Sequence, residues 1–172
     1  MDSDFLLICR MKNGDEQAID TFVRKYYPSI LRYCHLHIHD PGYAEDTTQE
    51  TFARFFHTLP QYRHYGKAMN YLYVIAGNLC RDSCKKLRPI SLEEVPEASA
   101  EQMPELERKL DVRRALDSLP PELREAAVLY YYQELPQSSI AKILGIGLPL
   151  VKYRLKRAKE LLALYLGKEE PT

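Results

Sequence analysis

The chain reads as all-α: two small helical domains joined by a flexible acidic linker, the C-terminal one containing a helix-turn-helix. Three observations predict this. Apolar residues recur at helical spacing along almost the whole sequence, with no convincing alternating strand and no repeat of solenoid period. That periodicity lapses from Pro89 to about Pro104, where Pro, Glu, Ser and Ala dominate in the manner of a tether. Finally, 172 residues at 45% apolar composition suffice for two small cores. The expected division is 1–88, a linker at 89–110, and 111–172.

Taken in order, the first helix is expected from about Ser3 to Lys12, stopping at Asn13-Gly14. Asp15 caps the next, which buries Ala18, Ile19, Phe22 and Val23, and Pro28 opens a third segment. After His39-Asp40-Pro41-Gly42, one helix face carries Ala44, Thr48, Phe52, Phe55, Phe56 and Leu59, ending before Pro60. A loop from Gln61 to Gly66 leads into a helix from about Lys67 to Leu87. Beyond the linker, a helix runs through Leu106, Leu110, Ala115 and Leu116, and Leu119-Pro120-Pro121 opens another reaching Tyr132. A helix pair follows: Ile140, Ala141 and Leu144 line the first, Gly145 supplies a positive φ for the turn, and Val151, Leu155, Ala158 and Leu162 line the second. The tail after Gly167 is expected to fray.

Charge gives the first functional direction. The second helix of the pair carries Lys152, Arg154, Lys156, Arg157 and Lys159; a solvated face explains such a run, but cations confined to the second helix of a glycine-turned pair point to DNA. The net charge is zero, yet it is unevenly spread. Arg63, Lys67, Arg81, Lys85, Lys86 and Arg88 form a second basic zone, separated from the first by Glu93, Glu94, Glu97, Glu101, Glu105 and Glu107. Two cationic surfaces on one chain suggest two DNA contacts.

Other classes are disfavoured. No long uncharged apolar run offers a transmembrane helix, and Met1-Asp2-Ser3-Asp4 lacks the basic start of a signal peptide. Cys9, Cys34, Cys80 and Cys84 form no CxxC pair or disulfide framework, which suits a reducing cytoplasm. His35 and His39 would share a helix face beside Cys34, but no closed four-ligand set accompanies them, so no metal and no cofactor is expected.

Two further constellations stand out. Around the loop-to-helix junction, Arg63, His64, Tyr65, Lys67, Asn70, Tyr71, Asn78, Arg81 and Lys85 interleave cations, amides and aromatics, as capture of single-stranded DNA requires. Tyr71, Tyr73 and Ile75 also fit an ordinary core, and a mixed outcome is expected. Asp46, Gln49, Glu50 and Ala53 form a polar stripe beside Phe52, which composition alone explains equally as a solvated helix or as a docking surface for a basic partner.

Six motifs in order then carry a resemblance: Gly14-Asp-x-x-Ala18, Tyr26-x-Pro-x-Ile-Leu-Arg-Tyr33, Ala44-Glu-Asp-x-x-Gln-Glu-x-Phe52, Leu72-Tyr-x-Ile-Ala-x-Asn78-x-x-x-Asp82, Ala115-Leu-x-x-Leu-Pro120 and Ile140-Ala-x-x-Leu-Gly-Ile146. Together they resemble the extracytoplasmic-function sigma factors, the two-domain subclass of bacterial RNA polymerase specificity subunits. The resemblance implies that Asp46, Gln49, Glu50, Phe52 and Ala53 dock on core RNA polymerase. It implies that the junction from Arg63 to Lys85 opens and reads a melted −10 element. Leu148, Leu150, Lys152, Tyr153, Arg154, Lys156 and Arg157 would meet duplex −35 DNA. The linker would thread the polymerase's RNA-exit path. The implied protein is cytoplasmic, nucleoid-associated when active, without membrane insertion or a reaction of its own. An anti-sigma factor, often membrane-anchored in the family, is a further implied partner that no residue here identifies.

Departures from the family pattern matter. Tyr71 stands where Trp is frequent, and Val74 and Gly77 where Arg is. Gly147-Leu-Pro-Leu150 replaces a Ser-x-Gly-Thr pattern and Tyr153 a frequent Ser, so hydroxyls are lost and apolar side chains able to touch thymine methyls take their place. Pro149 is tolerable in a first helical turn. The rival of another class is a stand-alone helix-turn-helix regulator binding duplex DNA as a homodimer; a metal- or redox-sensing regulator is a third.

Overall fold

The computed structural model describes residues 3–86 and 111–167, with the side chains of 84–86 left out. Among the described residues the ordered elements are all helical. They fall into two compact units, each treated by itself.

The first unit holds α1 (Ser3–Lys12), α2 (Glu16–His37), α3 (Pro41–Thr58) and α4 (Ala68–Lys86). Gly14, at φ 81°, turns the chain out of α1. Asp15 then caps α2, accepting from the Ala18 amide at 3.2 Å. The Arg10 guanidinium, 2.8 Å from that carboxylate, and the Ala18 amide hold Asp15 below the usual carboxylate range. Buried Asp4 accepts from Lys25 at 2.6 Å and from the Tyr26 hydroxyl, which ties α1 to α2.

Pro28 does not open a new segment, as the sequence suggested, but lies inside the 22-residue α2. A proline in a helix interior forfeits one amide bond and costs about 3 kcal/mol. Tyr26, Ile30, Tyr33 and Cys34 are all buried on the continuous helix, and at roughly 1.5–3 kcal/mol per large side chain that burial outweighs the penalty. α2 ends at His37, where Ile38 turns extended, so His39 lies outside it and shares no helix face with His35, contrary to expectation.

Asp40 caps α3, accepting from the Tyr43 amide at 3.0 Å. Ala44, Thr48, Phe52, Phe55 and Leu59 are buried as expected, whereas Phe56, Ile19 and Val23 stay partly exposed. Phe22 stacks on Phe55 with centroids 4.8 Å apart, at the centre of a core that Ile30, Tyr33, Leu72 and Tyr73 complete. The buried Thr48 and Thr51 hydroxyls donate to the Ala44 and Thr47 carbonyls, each at 2.8 Å, so neither is orphaned.

From residue 111 the chain is helical at 111–117 (α5), then in α6 (Pro121–Ala127), α7 (Gln137–Leu144) and α8 (Leu148–Tyr165), all within the second unit except Lys142–Gly145. α6 continues to Tyr132 as expected, but its last turn, Val128–Tyr132, widens into a π-helix in which the Gln133 amide reaches the Val128 carbonyl at 3.2 Å. Arg124 donates to the carbonyls of Leu116, Asp117 and Leu119 at 3.0, 3.1 and 3.1 Å, satisfying acceptors that the end of α5 leaves open. Ala115, Leu116, Leu119, Leu123, Leu129, Val151, Leu155 and Ala158 are buried. Gly145 has the positive φ, 65°, expected of the turn between α7 and α8. The expected helix start through Leu106 and Leu110, the acidic linker residues Glu93 to Glu107, and Arg88 lie outside the described residues.

Candidate nucleic-acid interface

Three surfaces gather the residues singled out from the sequence. On α3, Asp46, Gln49, Glu50 and Ala53 are all exposed, as a stripe facing solvent requires. Phe52 lies beneath them, stacked on Tyr27 at 5.9 Å and edge-on to Phe22, so it sets the helix's position and offers little surface. Glu50 is paired with Arg54 at 2.8 Å, leaving Asp46 as the acidic end of the stripe.

The junction ahead of α4 is built on Tyr62. Its ring stacks on Tyr71 at 5.3 Å and meets Phe55 at 5.4 Å; its hydroxyl lies 3.2 Å from His64 Nδ1, and its carbonyl accepts from Lys12 Nζ at 2.5 Å. Pinned there, the loop projects Arg63, Tyr65 and Lys67 into solvent, with Tyr65 83% exposed and Gly66 at φ 126° beside it. An exposed aromatic ring between two cations has the chemistry to stack on a base while holding its phosphates. Half-buried Tyr71 packs on Phe55 with its hydroxyl 3.3 Å from Thr58. Tyr73 is fully core against Tyr33, and burial pushes its phenol far above the usual value. The mixed outcome expected for the two tyrosines is what the structure has.

Asn70 is half-buried and its side-chain oxygen is buried without a hydrogen-bond partner. Asn78 accepts from Arg81, and both are exposed on the next turns of α4; the side chain of Lys85 lies outside the described residues. A groove of about 510 Å³ between α3 and α4 is lined by Glu50, Ala53, Arg54, His57, Thr58, Tyr71, Ile75 and Asn78, bringing members of the first two constellations together. Sequence reasoning missed Lys12, Tyr62 and His57. Tyr62 follows Pro60, beyond the period of α3, so only the folded chain brings it onto Phe55 and Tyr71.

The third surface is α8. Gly147 precedes it without a side-chain cap, and Pro149 occupies the first turn. Leu148, Leu150, Tyr153, Lys152, Lys156 and Arg157 are exposed, with Arg157 3.1 Å from Glu160. Arg154 departs from the reading of an outward cation: its side chain is only 15% exposed and turns toward Glu122 of α6, at 3.6 Å.

Cys80 donates to the Cys34 sulfur at 3.9 Å in the core of the first unit, and that contact holds the Cys34 thiol below its usual value. Among the described residues no cluster of three or more metal-ligating side chains occurs, and no helix is long and apolar enough to cross a membrane.

Comparison with known proteins agrees with this geometry. Residues 22–90 match the model of sigma-70 region 2, and residues 109–162 that of sigma-70 region 4. The extracytoplasmic-function sigma factor SigE of Mycolicibacterium smegmatis is 33% identical over 90% of this chain, which spans 65% of its length. The sigma factor YlaC of Bacillus subtilis is 30% identical over 87% of this chain and 91% of its own. The fold is that of CnrH, solved in complex with the cytosolic domain of CnrY, with a TM-score of 0.81 at 22% identity over 98% of this chain and 100% of that one.

Proposed function

Since the chain belongs to the extracytoplasmic-function sigma factors of the sigma-70 family, we propose that it binds core RNA polymerase and directs it to promoters with a −10 and a −35 element. The observation that carries this is the pairing, in one chain, of a loop offering Tyr65 between Arg63 and Lys67 with a separate basic recognition helix. Each suits a different form of DNA. Stacking is worth roughly 1–3 kcal/mol per base once a base is unpaired, whereas a helix N-terminus with flanking cations fits an intact major groove.

The residue roles follow from exposure. Asp46, Gln49, Glu50 and Ala53 form the polymerase-docking face, with Phe52 as its internal support. Arg63, His64, Tyr65, Lys67, Asn70, Tyr71, Asn78, Arg81 and Lys85 belong to the −10 surface, where Tyr71 stiffens the platform. Leu148, Leu150, Lys152, Tyr153, Lys156 and Arg157 face the −35 groove, and Arg154 positions their helix. Residues 1–88 and 111–172 serve as the two binding domains and 89–110 as the tether, which the ranges of the two family matches support. Phosphodiester chemistry stays with the polymerase, so the chain itself is no enzyme and works in the bacterial cytoplasm, at the nucleoid. A regulatory protein partner is expected too, since CnrH was solved bound to the cytosolic domain of CnrY.

Gel filtration of the purified chain with core polymerase, followed by permanganate footprinting on selected promoters, tests the proposal. Co-elution and strand opening are expected. Failure to co-elute, together with dimeric binding to duplex DNA, would establish the stand-alone regulator instead.

A further inference from the structure

The base-reading end of α8 is apolar. Val151, Leu155 and Ala158 are buried, which fixes the rotation of the helix about its axis. At about 100° per residue, Pro149, Leu150 and Tyr153 then fall within roughly 100° of one another on the opposite side. All three are exposed, Leu150 at 40% and Tyr153 at 61%. Lys152 and Lys156 border this strip, while Arg157, about two turns beyond Leu150 on the same side, is paired with Glu160 at 3.1 Å. Of the two cations flanking Tyr153 in sequence, Arg154 is turned in toward Glu122, and Lys152 lies about 100° round the helix, at the edge of the strip.

A strip so composed has few donors for base edges. The bordering cations are placed for phosphates, which carry no sequence information. Apolar side chains in a major groove have one base-specific partner, the C5-methyl of thymine. We propose that this helix selects its upstream element by thymine methyl groups, read by Leu150 and the ring of Tyr153. The inference rests on the assignment of α8 to −35 duplex DNA and names the chemistry of that contact.

The probe is a randomised duplex library free of methylcytosine, from which holoenzyme containing the full chain selects binders. The selected upstream element is then rebuilt with deoxyuridine replacing thymine at one position at a time, with replacements outside the element as controls. Loss of one buried methyl contact is expected to weaken holoenzyme binding about fourfold at one or more positions inside the element. Leu150→Ala, a change at an exposed position, is expected to bind more weakly and to lose that sensitivity at one position. An upstream element whose affinity changes less than twofold at every deoxyuridine position overturns the proposal, as does a Leu150→Ala chain and a Tyr153→Ala chain that both keep the full wild-type sensitivity. A selection that returns no paired upstream and downstream elements instead overturns the promoter assignment beneath it, so the two failures are distinguishable.

Discussion

Tyr62 shows how a single residue can govern a surface it does not itself present. Its ring, hydroxyl and carbonyl engage Tyr71 and Phe55, His64, and Lys12 respectively, while the exposed ring of Tyr65 follows three residues later. Tyr62→Ala is expected to cost about 2 kcal/mol, less than the truncation of a fully buried aromatic, and to lower permanganate-detected opening. Tyr62→Phe keeps the stack and should retain both; urea melts and footprinting check this, and equal opening by the alanine variant would remove Tyr62 from the mechanism. Glu50→Lys, at an exposed site, should shift stability by no more than about 0.5 kcal/mol while weakening capture by core polymerase. Side-chain placements were legible where a residue stands alone on the surface, as with Tyr65 and Lys156. They were not legible where tertiary contact decides, as with Tyr73, buried on Tyr33, and Arg154, turned to Glu122.

Helix boundaries divide along the same line. Asp15 and Gly145 announce their turns because capping and positive φ are local chemistry, and the structure uses both as read. Pro28 and the π-turn at Val128–Tyr132 were not legible, since both reflect packing that a local signal does not carry. Exposed Pro28 gives α2 no amide to donate, so Pro28→Ala should raise stability by about 1–2 kcal/mol, the restored bond outweighing the looser unfolded chain. A urea midpoint that falls would mean that Pro28 contributes through a bend in α2. Asp15→Ala should lower the urea midpoint through loss of the cap. Because the Asp15 pKa is lowered, its contribution is present above the usual value of 3.8 and disappears as pH falls through the lower folded value, so wild type and variant should converge in acid melts.

At the scale of the whole molecule, net charge misleads and charge order informs. Equal numbers of acidic and basic residues hide two cationic zones with an acidic stretch between them. On the proposed reading the two units bind as linked modules, and the tether at 89–110 sets whether both reach one promoter. Extended, it spans at most ~70–80 Å, against ~34 Å for one turn of DNA. Removing about twelve of its residues cuts that reach to ~33–36 Å, the length of a single turn. A tether too short to span both elements abolishes the gain from linkage, which is typically 10²–10⁴-fold. Adding about ten Gly/Ser residues should instead cost only about twofold, because closure entropy grows slowly with length. Binding of holoenzyme to promoters carrying both elements, or either alone, measures this asymmetry. The shortened chain should lose its preference for paired elements while keeping its affinity for each alone, and the lengthened chain should resemble wild type. Equal sensitivity to shortening and lengthening would mean that the stretch acts through contacts of its own, for which its glutamates are the side chains to neutralise next.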